Sequence, residues 1–192
     1  MSDAFHDVDR DRAAAWALLC EYTQSEALRG HALAVEAATR WYARRGGHDE
    51  ELWGCCALLH DFDYEVHPTL DQHPMDGAPI LRERGYSEPF IRAIQSHAAH
   101  TGVSRDSELE KVLFACDELA GFVVAVARVR PGGLSGMGPK SVMKKLKTTR
   151  FAAGVDRDEV REGAAGLDLE LSDHVANVIE ALGPLQEQLL GR

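Results

Sequence analysis

The sequence is short of the features that place a protein outside the aqueous interior of a cell. Its N-terminus, Met1-Ser-Asp-Ala-Phe-His-Asp, is acidic and leads into no apolar stretch, so no signal peptide is visible. The longest apolar run, Leu119 to Ala127, falls far short of the roughly 20 residues that a bilayer-spanning helix needs. Basic residues are also scarce. With 21 Lys and Arg against 31 Asp and Glu, the formal charge is −10, and the acidic residues are spread along the chain rather than massed in a tail. That balance argues against binding a nucleic-acid polymer or an anionic membrane. It leaves a small phosphorylated substrate open, because a bound cation reverses the local field. The cysteines Cys20, Cys55, Cys56 and Cys116 form no C-x-x-C pair and lie in apolar helical surroundings, which reads as buried free thiols. A cytoplasmic protein is the expectation.

Strand signals are missing as well. No segment alternates apolar and polar residues over a convincing length, and no internal repeat is present. What remains is helical periodicity. The spacing predicts helices over Asp11 to Tyr22, from a Ser25 cap through Trp41-Tyr42, and from an Asp49 cap through His60. Further helices are predicted over Met75 to Arg84, Ser87 to about His97, Glu108 to Val129 and Ser141 to Lys147. Asp156 and Ser172 read as caps of two final helices. The stretch from Phe62 to Pro74 carries two prolines and reads as a loop, long for a helix connection and therefore a pointer to function. The class is all-α. At 192 residues the chain suits one compact domain, 1–192.

Polar residues interrupt the apolar pattern at a few places. His60-Asp61 ends an apolar helical segment, pairing a borderline nitrogen donor with a hard oxygen donor, a ready metal-binding pair. His31 shares a helical face with Leu28, Val35 and Ala38, where a core histidine bonded to a carbonyl is the plain alternative. Asp117 shares a stripe with Leu113, Cys116, Ala120 and Val124. A carboxylate buried there without partners would cost several kcal/mol or shift its pKa, and a metal would offset that cost. His73 precedes Pro74 at the mouth of a helix, and His97 closes one; the nearby His100 could equally be the polar ligand or simply cap that helix end. The segment Gly133 to Ser141 is no phosphate-binding loop, because a proline precedes Lys140 and no strand leads in.

Taken in order, His31, His60-Asp61, His73, His97 and Asp117 spell H…HD…H…H…D on a helical chain. This resembles the HD-domain superfamily of metal-dependent phosphohydrolases, over a core of about 25–129, with 139–192 as a C-terminal helical extension. The segments Cys116-Asp117-Glu118-Leu119 and Pro139-Lys140-Ser141 are similar to small bacterial members of that superfamily. The resemblance implies a single helical bundle with one metal on His31, His60, Asp61 and Asp117. It implies a second on His73 and His97, with Asp61 as the bridge. One or two divalent ions are implied, with Fe, Mn, Co, Ni or Zn suited to imidazole and carboxylate and Mg possible.

The activity implied is hydrolysis of a small phosphate ester, with a nucleotide among the candidates, by a metal-activated water. Asp61 would be catalytic. Asp63 and Glu65 are candidates for a general acid or base, or for orienting a metal-bound water, with solvated loop carboxylates as the plain alternative. Lys140, Lys144 and Arg150 are candidates for binding substrate phosphate, or else a solvated helix face. Related HD families use the same six-ligand framework to hold two irons and cleave C–C or C–P bonds with dioxygen. A non-catalytic HD scaffold with a regulatory or binding role is the third reading. The sequence departs from the family where Phe62-Asp63 replaces the glycine that often follows the pair. It also lacks the glycine-rich signature of the branch that cleaves cyclic dinucleotides.

Overall fold

A computed structural model describes residues 4–191, so Met1 to Asp3 of the acidic N-terminus lie outside the described residues. Among those residues there are helices and turns and no strand, in keeping with the all-α class. The α-helices are α1 (Arg12–Tyr22), α2 (Glu26–Gly46), α3 (Glu50–Leu58), α4 (Gly77–Glu83) and α5 (Glu88–Ser96). They continue with α6 (Glu108–Arg128), α7 (Pro139–Leu146), α8 (Arg157–Gly166), α9 (Leu171–Leu182) and α10 (Gln186–Leu190). None is long and apolar enough to cross a membrane.

Local chemistry sets most of the helix starts. Asp11, Ser25, Asp49, Ser87 and Asp156 each accept a backbone N–H of the first turn, satisfying a donor that the helix cannot. Ser107 and Glu110 close a reciprocal capping box at the head of α6. Several boundaries differ from the sequence reading, three of them for a plain local reason. α3 ends at Leu58 rather than His60, because the Leu59 N–H is shared between the Cys55 and Cys56 carbonyls and the chain turns. α7 starts at Pro139, which has no N–H to leave unpaired in a first turn. The last long helix starts at Leu171 with Glu170 as an uncapped lead-in, so Ser172 is not its cap.

α2 and α6 are the two long rods around which the rest is built. α3 packs on α2, α8 and α9 pack on α6, and the two rods pack on each other. Phe62, Phe90 and Phe122 are fully buried in the resulting core. Each stabilises the fold by about 1.5–3 kcal/mol relative to exposure. α8 approaches α6 closely only because residue 163 is glycine, since a Cβ there would sit 2.6 Å from the Ala115 Cα. Cys55, Cys56 and Cys116 are buried free thiols as expected, whereas Cys20 is only half-buried. Burial pushes the Cys55 thiol up to about 12, which leaves it unreactive at neutral pH.

Candidate metal centre

Five separate pieces of chain meet at one point. α2 contributes His31 from its second turn, and the turn just after α3 contributes His60 and Asp61. The long connection before α4 contributes His73, the C-terminal end of α5 contributes His97, and mid-α6 contributes Asp117. The sharp end of α3 is what aims His60 and Asp61 inward, because the His60 ring folds back onto the Ala57 carbonyl of its own helix.

The geometry separates into two halves across Asp61. Its Oδ1 faces His73 Nε2 at 3.1 Å and His97 Nε2 at 3.3 Å. Its Oδ2 faces His60 Nε2 at 3.4 Å and His31 Nε2 at 3.8 Å. Asp117 Oδ1 closes that second half, 2.9 Å from His31 Nε2 and 3.4 Å from His60 Nε2. Three groups of ligand atoms lie within 4.8 Å of one another, namely His31, His60 and Asp61; His60, His97 and Asp117; and Asp61, His73 and His97.

The second nitrogen of each ring decides what the first can do. His60 Nδ1–H donates to the Ala57 carbonyl at 2.7 Å, and His97 Nδ1–H donates to the Ile94 carbonyl at 2.5 Å. Since a carbonyl can only accept, these rings carry their proton on Nδ1 and, when neutral, turn a bare Nε2 lone pair inward. His73 Nδ1–H donates to Asp63 Oδ1 at 2.9 Å, with the same result. Lone pairs then face carboxylate oxygens across gaps of little more than 3 Å, an arrangement that only positive charge can stabilise.

The ionisation of the protein groups says the same. Burial works against a charge on His60, yet Asp61 and Asp117 outweigh it and raise the imidazole well above its ordinary range. Burial likewise opposes charge on His73, but Asp61 and Asp63 push it up to about 9. Asp61 is held well below the usual carboxylate range, because the surrounding histidines outweigh the burial that would raise it. Asp117 is lowered in the same way, against burial, by His60 and His31. Nitrogen and oxygen donors without a thiolate fit Fe, Mn, Co, Ni or Zn, with oxygen-seeking Mg a poorer match. The residues present therefore fit a divalent cation.

Two proposed catalytic groups take other places. Asp63 is fully buried and lies against His73 rather than in a solvated loop. One oxygen holds His73, and the other is buried without a hydrogen-bond partner beside Gly77, where a Cβ would come within 2.8 Å of it. Glu65 instead ties the connection to the start of α2, its Oε2 accepting from the Gln24 and Ser25 N–H groups at 2.8 and 3.0 Å. Lys140, Lys144 and Arg150 are exposed and make no hydrogen bond or ion pair with any of the six clustered residues. The sequence reading passed over Glu118, whose carboxyl is pushed up to about 7 by burial and the adjacent Asp117 charge. Only its adjacency to Asp117 could have signalled it. His100, the alternative to His97 as a ligand, donates from Nε2 to the His73 carbonyl at 2.8 Å and steadies that part of the connection.

A family model described as HD domain matches residues 28–121, a span that takes in all six clustered residues. No curated protein and no solved structure matches the chain.

Proposed function

Given that residues 28–121 are an HD domain, we propose that the chain is a metal-dependent phosphohydrolase that cleaves a small phosphate ester at a two-ion centre. One observation carries the reading. Asp61 aims one carboxylate oxygen at His73 and His97 and the other at His60 and His31, the disposition of a bridging ligand between two cations. His31, His60, Asp61 and Asp117 would hold one ion, and His73, His97 and Asp61 the other. Ions bound there supply Lewis-acid polarisation of the phosphoryl group and acidify an attacking water.

The rest of the work falls to the protein. The Ala57 and Ile94 carbonyls and the Asp63 carboxylate fix the tautomer and rotation of His60, His97 and His73, so the donors are set before any ligand arrives. The near-complete burial of these three rings keeps bulk water off the inner side of the centre. His31, Asp61 and Asp117 are the partly exposed members, so the phosphoryl group approaches from their side.

The test is to purify the protein anaerobically, count bound metal, and assay a phosphate-ester panel while following oxygen consumption. The reading expects phosphate release supported by at least one of Mn, Co, Fe, Ni or Mg, with no coupled uptake of oxygen. Oxygen uptake without phosphate release would place the chain with the di-iron oxygenases instead.

A further inference from the structure

The six residues of the centre are not closed off equally. His31 keeps 22% of its side-chain surface and Asp61 and Asp117 keep 19%, whereas His60 keeps none. The mouth therefore lies at His31. A cleft of about 380 Å³ begins there and runs between α2 and α6, with Phe151 and Ala152 forming part of its wall. That volume falls within the range of small-ligand pockets.

Two glycines leave room in it. A Cβ on Gly30 would meet nothing within 4 Å, and one on Gly121 would come no nearer than 3.3 Å, to His31 Nδ1. That nitrogen is itself distinctive. The other three rings each commit Nδ1 to a carbonyl or carboxylate, whereas His31 Nδ1 has no hydrogen-bond partner among the described residues. The cleft thus starts at the outer edge of a ring whose inner edge belongs to the centre. Val124, Val129, Phe151 and Leu189 make its walls apolar. Its polar groups are few, and Arg128 among them already donates to the Leu189 carbonyl at 3.4 Å. Lys145 Nζ sits 4.6 Å from the Phe151 ring centroid, so a cation stands at the border of the cleft.

Resting on the phosphohydrolase reading, we infer that this cleft holds the organic group of the substrate and that the group is an apolar alkyl or aryl unit, not a nucleoside. A base and sugar have many donors and acceptors that these walls would leave unpaired, and each unpaired polar group taken from water weakens binding. An alkyl or aryl group brings no donor or acceptor of its own to be left unpaired against these walls and gains from every methylene it buries.

The experiment measures binding, by calorimetry, of a series of alkylphosphonates from ethyl to hexyl and of a nucleoside 5′-phosphonate to the metal-loaded protein. Affinity should rise about fourfold with each added methylene, and the nucleoside phosphonate should bind no more tightly than ethylphosphonate. Gly30→Leu puts a side chain into the cleft at a position with open space, and Ala125→Leu does so from the facing helix. Either should flatten the series. A flat series in the unmodified protein, or a nucleoside phosphonate that binds more tightly than hexylphosphonate, overturns the inference.

Straight-chain alcohols, followed by ligand-observed NMR, separate this outcome from failure of the phosphohydrolase reading. Alcohol binding that Gly30→Leu abolishes, with phosphonates binding no better than alcohols, upholds an apolar cleft and defeats the phosphoryl site. Phosphonates that bind without dependence on chain length do the reverse. If neither series binds, the cleft assignment fails as well.

Discussion

Asp63 Oδ1 lies 2.9 Å from His73 Nδ1, and both side chains are buried. A carboxylate two residues beyond the His60-Asp61 pair therefore faces away from solvent and grips a ring ten residues further along the chain. The bond fixes which nitrogen of His73 points at Asp61, and so it would orient a donor to any ion held beside Asp61 Oδ1 without itself ligating it.

Replacing Asp63 with Ala should accordingly lower metal affinity by about 10–100-fold, the usual cost of losing an outer partner of a ligating histidine. Competition with a coloured chelator measures it. Asp63→Asn keeps an acceptor for His73 Nδ1–H and should lose less. Equal affinity in Asp63→Ala and the unmodified protein would show that the bond is incidental.

His73→Ala and His97→Ala each remove a donor from the Oδ1 side of Asp61 alone. Each variant should move the metal content from two ions per chain toward one, read by elemental analysis after anaerobic purification. Two ions kept by both variants would show that neither ring holds metal, and a single ion already in the unmodified protein would mean a mononuclear site.

His174 gives a prediction about pH. The ring is fully buried, donates from Nε2 to the Ala115 carbonyl at 2.8 Å and takes the Tyr42 hydroxyl on Nδ1 at 2.7 Å. Burial lowers its pKa below the ordinary 6.5, so the folded protein refuses a proton that the unfolded chain accepts. The unfolded state then binds more protons as pH falls below about 6.5, and His174 contributes less stability there, by up to about 1.4 kcal/mol per pH unit. Urea unfolding between pH 7 and pH 5 should show a steeper loss in the unmodified protein than in His174→Gln. Parallel curves would contradict the assignment.

Gly163→Ala tests the packing of α8 on α6. Alanine favours a helix interior over glycine by roughly 1 kcal/mol, so on propensity alone the variant gains stability. The Cβ would instead meet the Ala115 backbone, and the variant should lose about 1–3 kcal/mol in chemical denaturation. A rise in stability would mean that the two helices separate at little cost.

The sequence made the centre legible because its members are chemically conspicuous. Four histidines and two aspartates follow one another in a fixed order along a helical chain, and helical spacing predicts that His31 and Asp117 face inward. Roles that depend on the chain folding back were not legible. Asp63 and Glu65 look alike in the sequence, two acids in one loop, yet one is buried against His73 and the other pairs with N–H groups at the head of α2. Only the path of the 59–76 connection separates them. For the basic stretch around Lys140 the sequence holds no positional signal, since a cluster of like charges says nothing about where α7 stands relative to α2 and α6. Helix boundaries were legible where a side chain caps them, as at Ser25 and Asp49. They were not where backbone geometry decides, as at Leu58.

The most direct test of the two-ion claim is the metal content of Asp61→Ala beside the unmodified protein, with phosphate release assayed on the same preparations. The expected result is about two ions per chain in the unmodified protein, fewer than one in the variant, and no phosphate release by the variant. A variant that keeps its metal and still releases phosphate would contradict the site assignment at its centre.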